Sequence, residues 1–342
     1  MTLLSVEDLS VQFGHRSEPV TVVNRITFRI EPGEVLGLVG ESGSGKSVTS
    51  RAVLRMIKQP GRISSGSVSF DGRDVLGMSN GNLRRFRATE VGMVFQDPFS
   101  ALNPVVRVGS QLIETLRLNV GLGRKPARER AVELLESVGI PDPERNFAAY
   151  PHQLSGGMRQ RVMIALATAA NPRLLLADEP TTALDVTTQQ QILKLLATMQ
   201  RDLGMAMLLV SHDFGVISQM CDRVLVMYGG TIVESGSVHD IYNDPRHPYT
   251  KALLATVPKL EVPEGDDRHR WALPGQPPDP RSRPTGCVFA PRCEFVMDDC
   301  LDTAVELRPV DVRRYSACLF DSPGRDKQTH LGPVAIGGGL VD

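Results

Sequence analysis

The sequence predicts an α/β protein whose central sheet is parallel. Short apolar runs such as Val35–Val39 and Leu174–Asp178 have the length and composition of strands that are buried on both faces. These runs alternate with segments of helical periodicity, such as residues 189–203. The 342 residues are 41% hydrophobic, which is enough for a full core and for about two domains. Wholesale disorder and a coiled coil are therefore excluded as the main architecture.

The first part of the chain is predicted to be rich in β-structure. Alternating or β-branched apolar residues predict strands at residues 6–13, 20–30, 35–39, 68–70 and 91–95. A turn signal at residues 31–34 separates the second of these strands from the third. A glycine-rich loop follows the third strand, and a helix is expected from Lys46 to about Lys58.

Helices and strands alternate in the second part. The pattern is mainly helical from about residue 97 to residue 170, and Gly139 and Pro141 end a helix predicted at residues 128–138. The elements expected after it are strands at 174–178 and 205–210, helices at 189–203 and 216–221, and a hairpin over 224–227 and 231–234.

The composition changes after about residue 258. Eight prolines fall between Pro258 and Pro291, which disfavours helix and predicts a linker or an extended arm. Four of the five cysteines lie between Cys287 and Cys318. The last twenty residues are rich in glycine and polar groups and are expected to be frayed.

Charge and targeting signals narrow the class of protein. The chain has 38 Lys and Arg against 39 Asp and Glu, so it lacks the basic excess of a dedicated nucleic-acid binder, and no nucleic-acid partner is expected. No apolar run approaches the roughly 20 residues that a membrane crossing needs, and no signal peptide is evident. We therefore expect a cytoplasmic chain whose cysteines do not form structural disulfides.

A phosphate-binding loop is the first chemical motif. Residues 40–47, GESGSGKS, fit the pattern G-x-x-x-x-G-K-[ST], with a predicted strand before them and a helix after them as the motif requires. The glycines allow successive N–H groups to point at phosphate, and Lys46 and Ser47 are the candidate contacts to the β/γ-phosphates and Mg²⁺. The expected nucleotide-binding residues are Gly40, Ser42, Gly43, Ser44, Gly45, Lys46 and Ser47.

A pair of carboxylates completes the expected chemistry. The apolar strand at residues 174–178 ends in Asp178, which is placed to hold Mg²⁺, and Glu179 follows it as a candidate general base. An Asp-Glu pair after an apolar run is common in loops. Together with the phosphate loop it predicts nucleotide hydrolysis.

Residues 154–160, LSGGMRQ, resemble the LSGGQ signature of ATP-binding cassette (ABC) proteins. Five further motifs of that family stand in the family's order around it. These are the P-loop, Gln96 in a Q-loop, Asp178-Glu179, a D-loop at residues 183–185, and His212 in an H-loop. The signature also opens a helix, so it predicts a second anion site that has no lysine.

The resemblance implies the fold and the roles of the site residues. It implies a P-loop ABC nucleotide-binding domain over residues 1–236, with a RecA-like parallel core, a β subdomain and a helical subdomain at about residues 97–165. Two cassettes would pack head to tail around ATP and Mg²⁺. The resemblance implies that the catalytic residues are Glu179, His212 and Gln96, and that Mg²⁺ is bound by Ser47, Gln96 and Asp178. It also implies that the partner's ATP is contacted by Ser155, Gly156, Gly157 and Gln160, and that Asp185 belongs to the D-loop.

Phe13 stands where the family places the aromatic residue that stacks on adenine. The usual tyrosine is absent and the following loop is long. A core residue of the first strand is the alternative interpretation.

Four segments resemble oligopeptide and dipeptide importers, namely residues 96–104, 243–250, 273–275 and 286–293. The match implies an ATPase subunit that energises peptide import and carries a C-terminal extension over residues 237–342. Implied partners are two integral membrane permease subunits, a second ATPase that is identical or not, and an extracytoplasmic solute-binding protein. The subunit would lie peripherally on the cytoplasmic face of the bacterial inner membrane. Nickel and some other solutes use similar machinery.

The clustered cysteines allow several interpretations. Cys287, Cys293, Cys300 and Cys318 are separated by 5, 6 and 17 residues, which fits neither the C-x₂-C pairs of zinc ribbons nor a common ferredoxin pattern. Spacing alone leaves unliganded thiols, zinc and an iron–sulfur cluster open. The resemblance to the importer extension favours a [4Fe–4S] cluster in the cysteine region 287–318.

Two other classes compete with transport. A soluble cassette of DNA repair would carry a long insertion, but 58 residues separate Gln96 from Ser155, which suits a small helical subdomain. An ABC protein of the translation type would have two cassettes fused in one chain, and this chain has one. A redox or regulatory protein would not need Glu179, whose presence favours turnover.

Overall fold

The computed structural model describes residues 2–15, 17–182, 184–256 and 275–320. Its strands are β1 (Leu4–Phe13), β2 (Val20–Ile30), β3 (Val35–Val39), β4 (Arg62–Phe70), β5 (Arg73–Asp74), β6 (Val91–Val94), β7 (Leu174–Asp178), β8 (Ala206–Ser211), β9 (Arg223–Tyr228), β10 (Thr231–Ser237), β11 (Arg308–Asp311) and β12 (Arg314–Ser316). They form a four-stranded sheet in the order β2-β1-β4-β5 and an eight-stranded sheet in the order β11-β12-β10-β9-β3-β8-β7-β6.

The helices lie between these strands in the chain. They are α1 (Lys46–Val53), α2 (Asn80–Thr89), α3 (Pro98–Ala101), α4 (Val108–Thr115), α5 (Arg124–Ser137), α6 (Pro143–Phe147), α7 (Gly156–Thr168), α8 (Val186–Leu203), α9 (Phe214–Met220), α10 (Val238–Asn243), α11 (Pro248–Ala255) and α12 (Asp299–Asp302). A π-helical segment, Leu116–Val120, continues α4. None of these helices is long and apolar enough to cross a membrane.

The predicted parallel core is confirmed. Strand β3 pairs in parallel with β8 on one side and with β9 on the other, and β7 pairs in parallel with β8 and β6. Parallel strands finish at the same edge of a sheet, so the register aligns Val39 with Ser211 and Asp178 with Val210. The loops that follow β3, β7 and β8 therefore meet at one edge.

The central parallel strands β3, β7 and β8 of the large sheet are buried on both faces, as their apolar residues predict. Along β3, Leu36 and Leu38 belong to the hydrophobic cluster that the antiparallel sheet covers, whereas Val35 and Val39 belong to the cluster on the opposite face. This alternation follows from the two-residue repeat of a strand. Helices α3 to α7 follow β6 and fall within the stretch predicted to be helical. They pack into the hydrophobic cluster on the face of the large sheet opposite the antiparallel sheet.

Two predicted elements near the N-terminus change their limits. Helix α1 ends at Val53 and does not reach Lys58, because the Arg87 side chain donates hydrogen bonds to the carbonyl oxygens of Leu54 and Arg55, both at 2.8 Å. In a longer helix, N–H groups of the next turn would donate to these carbonyl oxygens, and the Arg87 side chain takes their place. Strand β4 is longer than residues 68–70, since its first residues pair with β1.

The C-terminal region adds a hairpin to the edge of the large sheet. Strands β11 and β12 form a hairpin, and β12 pairs antiparallel with β10, with Glu234 opposite Ser316. The linker or extended arm is predicted for the proline-rich residues 258–291, so the hairpin does not test that prediction, and residues 258–274 lie outside the described part of the chain. Open backbone groups along the outer edge of β10 explain the pairing. The expected frayed tail and the segment at residues 273–274 lie outside the described residues.

Candidate nucleotide site

The phosphate loop begins where the central strand ends. Strand β3 is buried and leads into Gly40, and α1 starts at Lys46. Gly45 precedes the helix with a φ of 102°, and a Cβ atom there would lie 2.9 Å from Met227 Cε and 3.0 Å from the Val22 oxygen. Only glycine meets both the backbone conformation and the space at this position. The tertiary packing thus explains why the loop carries glycine at this point.

Lys46 is folded back along the loop. Its Nζ donates hydrogen bonds to the carbonyl oxygens of Gly40 at 2.7 Å and Glu41 at 2.9 Å, and the residue is 4% exposed. Burial lowers the pKa of Lys46, although nearby carboxylates, with Glu179 the strongest, act in the opposite direction. A desolvated cation held by carbonyl groups is available to phosphate oxygens at the loop.

Ser47 and Asp178 join the phosphate loop to β7. The Ser47 Oγ donates a hydrogen bond of 2.8 Å to Asp178 Oδ1, and Asp178 is fully buried. Its second oxygen, Oδ2, is buried and has no hydrogen-bond partner among the described residues. Burial raises the pKa of the Asp178 carboxyl, while the Ser47 bond opposes this shift. The orphaned oxygen beside a hydroxyl fits a hard divalent cation such as Mg²⁺.

The other predicted catalytic residues lie around the carboxylate of Glu179. Its Oε2 accepts hydrogen bonds from Gln96 Nε2 at 3.1 Å and Thr182 Oγ1 at 2.9 Å, and His212 Nδ1 lies 3.3 Å away. Glu179 has a φ of 47°, a region that non-glycine residues rarely occupy, and its N–H donates to the Val210 oxygen at 3.0 Å. The structure therefore brings Gln96, Glu179 and His212 together.

Sequence reasoning missed Thr182. It lies three residues after Glu179 in a turn, and its N–H donates to the Glu179 carbonyl oxygen at 3.2 Å. The short spacing of a hydroxyl residue after the carboxylate is the signal that could have found it.

The signature residues open α7 away from these groups. Ser155 caps the helix, and its Oγ accepts a hydrogen bond from the Met158 N–H at 3.3 Å. A Cβ atom at Gly157 would lie 2.8 Å from Thr188 Cγ2. Gln160 is 2% exposed, so its side chain is buried in this chain. Among the described residues, no hydrogen bond joins residues 155–157 to the phosphate loop.

Asp185 of the predicted D-loop caps α8. Its carboxylate accepts hydrogen bonds from the Thr188 N–H at 2.9 Å and the Thr188 hydroxyl at 2.7 Å. These bonds lower the pKa of Asp185. Thr188 also lies beside Gly157, so the D-loop and the signature are neighbours within one chain. Residue 183 of the predicted D-loop lies outside the described residues.

Phe13 packs on the antiparallel sheet side of the molecule. The Phe13 ring lies against Gly61, where an added Cβ atom would be 2.6 Å from the ring atom Cε1. The partly buried Phe13 side chain belongs to the hydrophobic cluster under the antiparallel sheet. A cavity beside the phosphate loop is lined by Glu41–Ser44, Thr21, Val22 and Pro277–Pro280, and Phe13 is not part of its lining. These contacts fit the core interpretation of Phe13.

The four clustered cysteines line one cavity. Cys287, Cys293, Cys300 and Cys318 surround it together with His247 and aromatic residues, and the Cys287 N–H donates to the Cys300 oxygen at 2.7 Å. No disulfide joins the five cysteines, all of which lie within the described residues, and burial raises the pKa of Cys293 to about 12. Within the described residues, no group of three or more His, Cys, Asp or Glu side chains is arranged to hold a single metal ion.

Comparisons with known proteins agree with this geometry. The profile of the ABC transporter family matches residues 23–182, and that of the oligopeptide/dipeptide transporter C-terminal region matches residues 233–300. The chain is 46% identical to the dipeptide transport ATP-binding protein DppD of Haemophilus influenzae, over 92% of this chain and 94% of that protein. It is 45% identical to DppD of Escherichia coli, over 95% and 99%.

Further relatives and solved structures extend the comparison. The chain is 48% identical to the oligopeptide transport ATP-binding protein OppD of Mycobacterium tuberculosis, over 93% of this chain but 52% of that protein. A dimeric bacterial ABC transporter cassette superposes with a TM-score of 0.62 at 27% identity, covering 69% of this chain and 98% of the cassette. A cassette of Clostridium perfringens that is part of an ABC transporter complex superposes with a TM-score of 0.61 at 29% identity, covering 71% and 91%.

Proposed function

The chain belongs to the ABC transporter family, and we propose that it is the ATP-hydrolysing subunit that energises import of di- or oligopeptides across the bacterial cytoplasmic membrane. The convergence of Gln96, Thr182 and His212 on Glu179, beside the Ser47–Asp178 pair, carries this proposal. Such a site can hold a triphosphate on the loop and a water at the carboxylate. The solute class is supported by the names of the DppD and OppD relatives.

Ser47, Asp178 and Gln96 are the residues we assign to Mg²⁺. Support comes from the buried Asp178 oxygen that lacks a partner and from the adjacent Ser47 hydroxyl. Hydroxyl, carboxylate and amide oxygens are ligands that Mg²⁺ accepts. When bound, the ion would supply positive charge against the charge that develops on the phosphoryl oxygens.

Other side chains and backbone groups of the protein act on the attacking water and on the phosphates. Glu179 accepts a proton from the attacking water as general base, and His212 and Gln96 orient that carboxylate and the water. Lys46 and the loop N–H groups of residues 40–47 stabilise charge on the β- and γ-phosphates. Ser155, Gly156 and Gly157 of one cassette, with Asp185 nearby, complete the site of a second cassette. Gln160 is buried in its own chain, so we assign it to the packing of α7 and not to the partner's ATP. We assign Phe13 to the core under the antiparallel sheet and not to the adenine contact.

The cassette works as a dimer on membrane permeases. We assign residues 1–236 to the cassette, residues 97–165 to a helical subdomain that contacts the permeases, and residues 237–342 to a C-terminal extension. Phe99 and Val105, close after Gln96, are 62% and 79% exposed, which supports a contact surface there. The full assembly has two integral membrane permeases, a second ATPase and an extracytoplasmic solute-binding protein, with this subunit on the cytoplasmic face.

We also propose that the cysteine region 287–318 holds a [4Fe–4S] cluster. The shared cavity of the four thiols supports it, and four thiolates are the usual ligand set. Zinc has less support, since the cysteine spacing lacks the C-x₂-C pairs of zinc ribbons. Iron and acid-labile sulfide would be measured in anaerobically purified protein, with C293S as the matched variant. A purified chain free of iron and sulfide, with all four thiols titratable, would reject the cluster.

The transport proposal is tested in the native membrane. The chain is captured with mild detergent and its partners are identified by mass spectrometry. Two multi-span permeases, a second cassette and a solute-binding protein are expected. The purified complex in vesicles should then take up a labelled dipeptide only with ATP, and E179Q should abolish uptake. Uptake of nickel without peptide, or recovery of ribosomal or DNA-repair proteins, would reject peptide import.

A further inference from the structure

The cysteine region 287–318 contacts the phosphate loop directly. Arg292 Nη1 donates to Glu41 Oε2 at 2.8 Å and Nη2 donates to Glu41 Oε1 at 3.2 Å, which makes a bidentate ion pair. The Arg292 side chain is 5% exposed and that of Glu41 is 23% exposed. Paired N–H···O bonds of this kind fix both the position and the direction of the two groups. The second residue of the loop is therefore attached to the C-terminal region.

Two buried tyrosines reinforce this contact. The Glu41 N–H donates a hydrogen bond of 2.8 Å to Tyr249 Oη, and Arg292 Nη1 also donates to Tyr228 Oη at 3.2 Å. The rings of Tyr228 and Tyr249 have centroids 4.5 Å apart. Both the backbone and the carboxylate of Glu41 are thus held from the same side.

The contact also leads to the cysteine cavity. Phe289 lines that cavity and packs against Tyr228 and Tyr249, with centroid distances of 5.2 and 5.5 Å. Arg292 directly precedes Cys293, and its N–H donates to the Phe289 oxygen at 2.9 Å. A continuous set of buried side chains therefore connects the cysteines with Glu41.

The ion pair between Arg292 and Glu41 affects the electrostatic free energy of nucleotide binding. Glu41 places a negative charge in the loop that must accept a triphosphate, and like charges at close range oppose binding. Its carbonyl oxygen also receives the Lys46 Nζ at 2.9 Å, so a shift of Glu41 would displace Lys46. Arg292 cancels the carboxylate charge and holds the residue in place.

We propose that Arg292 is a positioning residue for ATP binding, which neutralises Glu41 and fixes the start of the phosphate loop against the cysteine region. This inference rests on the proposed function of the loop as an ATP site. Arg292 acts through Glu41 and does not itself touch the nucleotide. The phosphate loop then depends on a segment that lies outside the cassette.

The test is a charge-rescue series on the purified full-length chain. Dissociation constants for ATP and ADP are measured by displacement of the fluorescent analogue TNP-ATP in wild type, R292A, E41Q and the double variant. We expect R292A to weaken ATP binding about tenfold and ADP binding less, because repulsion grows with phosphate charge. E41Q in the R292A chain should recover most of the lost affinity, since the unpaired charge is gone. A purely structural role would not give this recovery.

The outcomes separate this inference from the proposed function. Wild-type affinity in R292A, or equal losses in R292A and R292A/E41Q, would overturn the role of Arg292. If R292A does not fold, R292Q and R292Q/E41Q give the same comparison while keeping part of the arginine stem. K46A is the control for the site: a wild-type chain that binds no ATP, or K46A that binds like wild type, would reject the ATP site itself.

Discussion

His212 Nδ1 lies 3.3 Å from Glu179 Oε2, although the two residues follow different strands of the large sheet. Both strands end at the same edge, and β7 and β8 are neighbours in parallel pairing. Gln96 and Thr182 donate to the same carboxylate oxygen. A carboxylate with three polar neighbours has a fixed orientation, which is what a general base requires.

Replacing Glu179 by glutamine should stop hydrolysis and preserve ATP binding. The amide keeps the size of the side chain but cannot accept a proton from water. We expect kcat to fall by about 10²–10⁴-fold, the usual contribution of general acid–base catalysis. Phosphate release by the complex measures kcat, and TNP-ATP displacement measures binding. Hydrolysis by E179Q at the wild-type rate would refute the role of Glu179.

Thr182 should contribute through its hydroxyl alone. T182V keeps the branched shape and removes the hydrogen bond of 2.9 Å to Glu179, whereas T182S keeps the hydroxyl. Without this bond the Glu179 carboxylate loses one of the contacts that fix its orientation towards the attacking water, so kcat should fall about tenfold in T182V. T182S should stay close to wild type in the same phosphate-release assay. Equal activity of the two variants would contradict this prediction.

Asp178 should set the requirement for Mg²⁺. D178N keeps the size of the side chain and removes the negative charge that faces the cation. We expect the Mg²⁺ concentration for half-maximal ATPase activity to rise about tenfold or more. Titration of activity with Mg²⁺ at saturating ATP measures this shift, and circular dichroism checks the fold. An unchanged Mg²⁺ midpoint would mean that Asp178 does not hold the ion.

Gly45 should not tolerate alanine. Its φ of 102° and the short contacts a Cβ atom would make predict a loss of stability of about 1–3 kcal/mol together with weaker ATP binding. Gly81 is the matched control, because it lies in α2 and a Cβ atom there meets nothing within 4 Å. G81A should change the free energy of unfolding by no more than about 0.5 kcal/mol. Urea unfolding compares the two, and equal midpoints would contradict the strain at Gly45.

His247 should make the fold sensitive to acid. Burial lowers its pKa to about 3, while the histidine of the unfolded chain has its ordinary value near 6.5. The unfolded state therefore binds the proton first, so the free energy of unfolding decreases as the pH falls from about 6.5 towards 3. Between pH 7 and pH 5 this effect amounts to about 2 kcal/mol.

The variant H247Q isolates this contribution. It removes the ionisable group, and the other titrating residues near it, Glu234 among them, stay in both chains. Urea unfolding at the two pH values should show wild type losing about 2 kcal/mol more than H247Q. Equal losses would mean that His247 is not kept neutral by burial.

The local pattern of the sequence was sufficient for the phosphate loop and the parallel core. Strands β2, β3 and β7 lie at their predicted limits, because a buried strand needs an unbroken or alternating apolar run. The loop at residues 40–47 also follows from its glycines and from the helix that begins at Lys46. Helix α1 was predicted too long, since only the tertiary fold brings Arg87 to its end.

The sequence by itself determined the α/β class, the order of the motifs and the type of chemistry, since these depend on residues close together in the chain. The tertiary structure alone decided which side chains meet. Arg292 and Glu41 are 251 residues apart, and the pairing of β12 with β10 depends on an open sheet edge. Contacts at such separations arise when the core buries and aligns distant segments, and no local pattern encodes them.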